Sequence, residues 1–412
     1  MESIEMFTGG GGLALGTHRA GFKHAAVMEW NSHACDTLRR NVERSRTGQI
    51  RSMAPISHWQ VHEADIRKMI EGNFFEQFES RRVDLVAGGV PCQPFSLGGK
   101  HKAHTDTRDM FPDFVEVVRQ VQPRAFIVEN VKGLLRQSFS SYFQYILLRL
   151  NYPDVVAKPD EDWQDHLHRL EEIKTAGVAA GLQYNVVFEL LNAADFGVPQ
   201  TRERVFLVGF RSDLGVDWHF PSPTHSRDAL AHDQFVTGKY WERHGINQPT
   251  NVKRWCSERS IRAMRDGEAP TTQPWLSVRD ALADLPEPTA EGSSRYHNHL
   301  LREGAKSYPG HTGSPIDLPS KTLKAGVHGV PGGENMMVRT DGSLRYFSVR
   351  EAARIQTFPD DWVFEGAWSE AMRQLGNAVP VKLANVVAAG VYATITGASA
   401  RREPRPRGRT AG

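Results

Sequence analysis

The sequence predicts an α/β fold in which a doubly wound, mostly parallel sheet is followed by a smaller, irregular domain. Up to Phe210, short β-branched or apolar runs alternate with amphipathic stretches, which is the pattern of strands joined by crossover helices. From Trp218 to Tyr346 the chain is rich in Pro, Gly, His, Ser and Trp without sustained periodicity, so a domain of another kind is expected there. The 412 residues are enough for two domains.

The first part of the chain contains six predicted strands, with helical patterns between them. The helical segments include Asp36–Arg44, Phe114–Val121 and Tyr142–Leu150. This alternation of strands and helices predicts a doubly wound sheet. The predicted strands are Ile4–Phe7, Ala25–Glu29, Val83–Ala87, Ala125–Glu129, Val186–Leu190 and Val205–Phe210.

Helical periodicity returns near the end of the chain, in Val349–Gln356 and Val381–Ile395, so we expect the chain to re-enter the first domain and complete it. The predicted organisation is therefore a sheet domain over 1–211, an irregular domain over 212–345 and a return to the sheet domain over 346–397. The Arg-, Pro- and Gly-rich tail 398–412 is expected to be disordered.

Composition indicates a globular protein, because 40% of residues are hydrophobic and 24% are charged. The net charge of +2 means that any basic surface must be local. The three cysteines, Cys35, Cys92 and Cys256, lack the spacing of a disulfide framework or a zinc site, which favours a reducing compartment. The start of the chain does not read as a signal peptide, and the apolar run Leu383–Ile395 is too short and interrupted to span a bilayer. We therefore expect a cytoplasmic protein without a membrane segment.

A glycine cluster, Gly9 to Gly12, follows Phe7 directly after the first predicted strand and precedes a helical pattern. Glycines at such a position let the backbone turn tightly and approach a ligand that a side chain would exclude. The cluster suits a nucleotide cofactor such as NAD or FAD, and it equally suits a tight turn with no ligand.

Acidic residues follow two further predicted strands. Glu29, with Trp30 after it, ends the second strand, where a carboxylate can hold the hydroxyls of a ribose and an indole can stack on an adenine. The alternative is a solvent-exposed Glu beside a core Trp. Asp65 and Ile66 follow the short run Trp59–His62 and could line the same pocket, although Asp65 alone is also a typical helix N-cap.

Cys92 lies between Pro91 and Pro94 on a predicted loop that follows a buried strand. The prolines restrict the backbone and hold the thiol in place, while Gly88 and Gly89 leave room for a planar substrate. A structural cysteine would normally lie within a strand or helix among apolar neighbours. The pattern therefore favours a nucleophile over an inert loop thiol.

Several of these motifs together resemble the cytosine-5 DNA methyltransferases of bacterial restriction–modification type. The resemblance extends from Phe7 to Pro380, and it is specific because independent motifs agree in order and spacing. The motifs are Phe7 with its glycine cluster, Pro91-Cys92-Gln93, Glu129-Asn130-Val131, Gln200-Thr201-Arg202-Glu203-Arg204 and Gly376-Asn377-Ala378-Val379-Pro380.

The resemblance implies a class I, Rossmann-like methyltransferase fold that uses S-adenosyl-L-methionine, with a target-recognition domain for double-stranded DNA. Cys92 would attack carbon 6 of a cytosine flipped out of the duplex, and Glu129 would act at the third ring nitrogen. Arg202 and Arg204 alternate along an extended stretch and can point to one face. The family favours Arg202 as the catalytic-site member, whereas Arg204 could also belong to an exposed pair.

The resemblance also implies two further sets of binding residues. Those expected at the cofactor are Phe7, Gly9, Gly11, Gly12, Glu29, Trp30, Asp65, Ile66, Pro91, Asn377 and Val379. Those expected at the DNA are Gln93, Ser96, Lys321, Thr322, Leu323 and Lys324.

Two alternative functions remain open at the level of the sequence. A tRNA cytosine-5 methyltransferase would share the catalytic motifs, and only the irregular domain, with its Thr322-Leu323 element, favours DNA. A catalytically silent DNA-binding homologue would share the fold, but the intact Cys92, Glu129 and Arg202 argue against it. We expect a monomer that protects host DNA against a separate endonuclease acting at the same site.

Overall fold

The computed structural model describes residues 1–91, 109–178, 181–248, 256–292, 295–306, 312–325 and 335–402. Its centre is a seven-stranded sheet with the order β3-β2-β1-β4-β5-β7-β6. The strands are β1 (Glu2–Met6), β2 (Lys23–Glu29), β3 (Val61–Glu63), β4 (Leu85–Gly89), β5 (Ala125–Val131), β6 (Tyr184–Asn192) and β7 (Glu203–Arg211).

The first five strands are parallel, and β7 runs antiparallel to its neighbours β5 and β6. This arrangement confirms the predicted doubly wound, mostly parallel sheet. The strand order reverses between β1 and β4, and such a switch point opens a crevice at the carboxyl ends of the strands.

Helices cover both faces of the sheet because its strands are apolar on both sides. Ile4 and Met6 face a layer that includes α4, whereas Leu85 and Ala87 face α13. The helices are α1 (Gly12–Arg19), α2 (Ser32–Arg46), α3 (Ile66–Glu71), α4 (Phe111–Val121), α5 (Ser140–Asn151), α6 (Trp163–Ala176), α7 (Arg227–Phe235), α8 (Lys239–Arg243), α9 (Glu258–Asp266), α10 (Val278–Leu282), α11 (Val349–Ile355), α12 (Trp368–Asn377) and α13 (Val381–Arg402).

Between Arg211 and Tyr346 the described residues form short strands and helices, and these strands do not join the large sheet. A small cluster around Tyr240 and Trp241 packs α7 and α8 together. The strands make a two-stranded and a three-stranded sheet, and they are β8 (His225–Ser226), β9 (Gln273–Pro274), β10 (Ser314–Pro315), β11 (Met336–Val338) and β12 (Leu344–Tyr346).

The last helix extends further than the sequence suggested. Disorder was expected from residue 398, but α13 continues to Arg402 because Ala398 is buried and Arg124 donates to the Ile395 carbonyl (3.1 Å) and the Ser399 hydroxyl (2.8 Å).

The stretch Trp368–Ser399 is long and apolar enough to cross a membrane by length and composition. A core helix has the same composition, and Val387, Val391 and Ile395 are fully buried in the protein.

Candidate active site

The carboxyl ends of β4 and β5 bring the predicted catalytic carboxyl to the edge of the sheet. Gly89, the last residue of β4, pairs with Glu129 in β5, and a Cβ atom on Gly89 would lie 3.3 Å from the Glu129 carboxylate. Arg204 faces Val131 across the antiparallel β5–β7 pair. Glu129 and Arg204 therefore lie diagonally on one face, and Arg204 Nε is 2.8 Å from Glu129 Oε1.

Burial determines the protonation behaviour of this ion pair. Burial raises the pKa of Glu129, while the Arg204 and Arg202 guanidinium groups oppose that shift. Burial likewise lowers the pKa of Arg204, and the Glu129 carboxylate opposes that change. The carboxyl therefore holds a proton to a higher pH than a glutamic acid in water, although it lies beside a cation.

Arg202 has a different environment from the one the sequence favoured. Its side chain is fully buried, and its guanidinium donates to the main-chain oxygens of Leu323 (3.1 Å) and Gly376 (2.7 Å). Arg204 is the arginine that the structure pairs with Glu129, the predicted catalytic carboxyl, whereas Arg202 holds two distant segments of main chain together.

The loop that carries the predicted nucleophile starts at this same edge. Asn130 Nδ2 donates to the Val90 carbonyl (3.0 Å), and the amide of Met110 donates to the Pro91 carbonyl (3.3 Å). These bonds attach both flanks of the loop to the end of β5 and the start of α4. Cys92 follows Pro91 in the chain, but Cys92, Gln93 and Ser96 lie outside the described residues.

Glu29 joins the glycine turn to the end of β2. One oxygen of its buried carboxylate accepts from the Gly9 amide (2.7 Å), and the other accepts from the amides of Trp30 (3.0 Å) and Asn31 (2.8 Å). The Trp30 side chain is 76% exposed, so the alternative of a core tryptophan is wrong. An exposed indole and a buried carboxylate therefore lie side by side at the edge of the sheet.

The glycines of the first turn serve two different requirements. Gly9 has φ of 54°, and an added Cβ atom there would meet open space. Gly11 (φ 96°) and Gly12 instead allow close packing, since a Cβ atom on Gly12 would lie 2.2 Å from the Val379 carbonyl oxygen. Phe7 also has a positive φ, 53°, and is half-buried against the core. Gly9 is thus the glycine with an open face, whereas Gly12 is needed for packing.

Asp65 has the structural role that was given as its alternative. Asp65 caps α3 by accepting from the Arg67 amide (3.0 Å), and Ile66 is buried in the core. Asp65 is half-buried at the end of β3, so a second function of its carboxyl in the same crevice stays a prediction.

The motif from Gly376 to Pro380 joins the last two helices of the chain. Gly376 and Asn377 end α12, and α13 begins at Val381. The turn between them is held by Gln356, whose side chain donates to the Leu375 carbonyl (2.6 Å) and whose own carbonyl accepts from Val381 (3.0 Å). Asn377 is exposed, whereas Val379 is buried.

The predicted DNA-binding segment is only partly exposed. The Lys324 side chain is exposed and that of Lys321 is half-buried, with its ammonium donating to Thr312 (2.8 Å). Thr322 donates to the Thr201 carbonyl (2.8 Å). Leu323 is 1% exposed and packs in the core, so the expectation that its side chain contacts DNA is corrected.

Two amides that were not predicted as site residues support this segment. Gln200 Oε1 accepts from the Leu323 amide (3.2 Å), and it belongs to the same motif as the two arginines. The Asn335 side chain binds both the amide (3.1 Å) and the carbonyl (3.0 Å) of Lys324. Nothing in the sequence around Asn335 signalled that role, because its partner is a main-chain group elsewhere in the chain.

Comparison with known proteins gives one consistent family. The model of the family described as C-5 cytosine-specific DNA methylase matches residues 1–153 and 163–392. The type II methyltransferase M.Eco47II of Escherichia coli is 32% identical over 401 residues, which are 94% of this chain and 78% of that protein. The type II methyltransferase M.NgoMIV of Neisseria gonorrhoeae is 28% identical over 93% of this chain and 95% of its own length.

A solved structure shows the same fold. It is a DNA modification methyltransferase encoded within an Escherichia coli prophage, and it superposes with a TM-score of 0.55 at 19% identity over 96% of this chain and 99% of that one. The match of the family model over nearly the whole chain, together with the sequence relatives, decides the assignment. The chain belongs to the C-5 cytosine-specific DNA methylase family and is a DNA cytosine-5 methyltransferase of restriction–modification type.

Proposed function

We propose that the enzyme transfers the methyl group of S-adenosyl-L-methionine to carbon 5 of a flipped cytosine in a specific duplex sequence, with Cys92 as the covalent nucleophile. The observation that carries this mechanism is the Glu129–Arg204 pair near the end of β5, whose side chains are 8% and 13% exposed. It lies beside the strand that leads into Pro91 and Cys92.

The pair can supply what the cytosine ring lacks. The ring is a poor electrophile, so formation of a bond between the Cys92 sulfur and carbon 6 needs electron density to be drawn towards the third ring nitrogen. A protonated Glu129 can give its proton to that nitrogen, and Arg204 can donate to the neighbouring ring oxygen. Both groups are held by burial in one geometry, which lowers the cost of organising them.

Carbon 5 becomes nucleophilic once the sulfur has added, and S-adenosyl-L-methionine supplies the electrophilic methyl group there when bound. Loss of the carbon-5 proton to a base then restores the ring and expels the Cys92 thiolate. The duplex would have to release the target base from its stack, because the face of a stacked base is closed to a thiol.

The residues at the glycine turn fit this cofactor. Trp30 offers an exposed indole for the adenine, and the adjoining Glu29 carboxylate suits the ribose hydroxyls. That carboxylate accepts three amide hydrogens, which leaves acceptor capacity for a hydroxyl. The open face of Gly9 leaves room for the methionine part. We assign Phe7, Asp65, Pro91 and Asn377 to the periphery of the same site.

DNA contacts are assigned to Lys321, Thr322 and Lys324, together with Gln93 and Ser96 on the loop of Cys92. Lysines there would bind phosphates and position the duplex, whereas sequence is distinguished at base edges. The proposed biological role is protection of host DNA in the cytoplasm by a monomer, with a separate endonuclease that cleaves the same unmethylated site.

A mechanism-based trap tests the nucleophile. Duplex DNA carrying 5-fluorocytosine, offered with S-adenosyl-L-methionine, should become covalently attached to the wild-type chain. Carbon 5 of this base carries fluorine in place of the proton whose loss would release the enzyme. Cys256→Ser is the matched control and should still form the adduct, whereas Cys92→Ser should not. Bisulfite sequencing of DNA from an expressing host identifies the target site for the duplex.

Four outcomes would contradict the proposal. An adduct in Cys92→Ser, or none in the wild type with its mapped target, would refute the covalent mechanism. Methylation of tRNA with no reaction on duplex DNA would favour the RNA enzyme. DNA binding without methylation of any substrate would favour a silent homologue.

A further inference from the structure

Residues 376–380, called the turn 376–380, comprise the last two residues of α12 and the three that lead into α13. They touch both the proposed cofactor loop and the proposed DNA-binding segment. A Cβ atom on Gly12 would lie 2.2 Å from the Val379 carbonyl oxygen, so the glycine loop rests directly on this turn. A Cβ atom on Gly376 would lie 2.2 Å from the Ala325 amide nitrogen. The turn is therefore in main-chain contact with both regions. A displacement of either region would act directly on the main chain of the turn.

The segment 320–324, named here the recognition segment, is hydrogen-bonded to the chain that enters β7. The Ser320 amide donates to the Pro199 carbonyl (2.9 Å), and the Thr201 amide donates to the Ser320 carbonyl (2.8 Å). The Thr322 hydroxyl donates to the Thr201 carbonyl (2.8 Å). This chain continues into Arg204, which pairs with Glu129.

Arg202 lies where these contacts meet. Its two terminal nitrogens donate to Leu323 in the recognition segment and to Gly376 in the turn, groups that lie 121 and 174 positions further along the chain. Its side chain is fully buried and therefore shielded from solvent. A rigid, planar guanidinium that bonds two main-chain oxygens fixes their separation more closely than a flexible lysine would.

We propose that Arg202 is a positioning residue that couples cofactor binding to DNA binding, by holding the turn 376–380 and the recognition segment in one register. This inference rests on the proposed function. Ordering of the glycine loop by the cofactor acts on the Val379 carbonyl, and Arg202 carries the constraint to Leu323. Coupling of this kind is reciprocal, so DNA must strengthen cofactor binding by the same factor.

The measurement is the ratio of the DNA dissociation constants without and with S-adenosylhomocysteine, using a duplex that contains the mapped target. The expected wild-type ratio lies at about 5–150, the usual range for coupled sites. Arg202→Lys should bring it close to 1, because a lysine cannot bond both oxygens with the same geometry. Thr322→Val, which removes one bond of the recognition segment, should lower it in part. Thr175→Val loses a bond of the same length (2.8 Å) on α6 and should keep the wild-type ratio.

The ratio separates coupling from mere stability. A loss of folded protein cannot lower the ratio, because the analogue binds the folded chain and raises its population. If Arg202→Lys proves unfolded by circular dichroism, Thr322→Val decides alone. A wild-type ratio of 1, or wild-type ratios in the folded variants, would overturn the inference. Failure of the proposed function would look different, since the wild type would then neither bind nor methylate DNA.

Discussion

At the scale of single residues, the proposed chemistry depends on how burial and two neighbouring arginines act on the Glu129 carboxyl. Burial disfavours the ionised carboxylate and raises its pKa, whereas the Arg204 and Arg202 cations favour the ionised form and lower the pKa. The pKa is raised overall, so burial outweighs the two cations. A carboxyl in this balance can deliver a proton to a ring nitrogen and take it back during one turnover.

Glu129→Gln should lower kcat by about 10²–10⁴-fold, the usual contribution of a positioned acid. In the wild type, kcat should fall as pH rises through the raised pKa of Glu129, since the protonated form is the active one. The variant has no proton to lose there, so that fall should disappear. Single-turnover rates across pH measure both effects, and an unchanged alkaline limb in the variant would exclude Glu129 as the acid.

The same shift makes a contribution to stability with a defined sign. The pKa of Glu129 is higher in the folded chain than in the unfolded chain, so the folded state binds more protons between the two values. This contribution to the free energy of unfolding is fully present below the unfolded pKa. It is lost as pH rises through the folded pKa.

At the scale of elements, strand ends and the turns after them create the site. The β1–α1 and β2–α2 turns meet because the Glu29 carboxylate accepts amide hydrogens from both. The α12–α13 turn then packs on the first of them through Gly12. Three turns from distant parts of the chain therefore form one surface at the switch point of the sheet.

Trp30→Ala should weaken S-adenosyl-L-methionine binding by about 1–3 kcal/mol, or roughly 5- to 150-fold in Kd, if the indole stacks on the adenine. Stability should change little, since the ring is exposed. Phe188→Ala, an aromatic that is 45% exposed on β6, is the control and should leave the affinity unchanged. Calorimetric titration measures both, and equal affinities for Trp30→Ala and the wild type would remove Trp30 from the site.

Gly12→Ala should destabilise the protein by about 1–3 kcal/mol, because the added methyl meets a main-chain oxygen that cannot rotate away. Gly397→Ala is a matched helical substitution in α13 with no atom within 4 Å of the new methyl. It should raise the free energy of unfolding by about 0.4–1 kcal/mol, because alanine gives the unfolded chain less conformational freedom than glycine does. Urea denaturation compares the two, and equal effects would mean that the contact with Val379 does not limit packing.

At the scale of the whole molecule, one core connects the sheet domain with the irregular region. The cluster that contains Leu15 and Leu38 from the first helices also contains Leu323, Met337 and Trp362. The recognition segment is therefore not an appendage on the sheet domain. The buried Leu323 side chain fixes its main chain against the core, and its polar side chains project from that fixed main chain.

Leu323→Ala should destabilise the protein by about 2–5 kcal/mol, the cost of a cavity at a buried leucine. The methylated sequence should stay the same, because the side chain does not reach the surface. Lys321→Ala should show the opposite pattern, with weaker DNA binding and a stability change within about 0.5 kcal/mol. Denaturation and bisulfite mapping distinguish them, and an altered target for Leu323→Ala would restore it as a DNA contact.

The sequence by itself determined the doubly wound sheet, its six main strands and the motifs that mark the catalytic family. These features follow from periodicity and from residue types at short spacing, which local sequence carries. The positions of Glu29 and Glu129 at strand ends were predictable for the same reason. Cys92, the proposed nucleophile, was predicted from its flanking prolines and glycines.

The sequence could not show which arginine pairs with Glu129, because Arg202 and Arg204 alternate along the strand and can point to the same face. The register between β5 and β7 places Arg204 beside Glu129. Only the tertiary structure also decided that Arg202 and Leu323 are buried, and that α13 continues past residue 398. These facts depend on partners more than a hundred positions apart, such as Arg202 and Gly376. Local sequence specifies strands and turns, whereas burial and hydrogen-bond partners are properties of the packed chain.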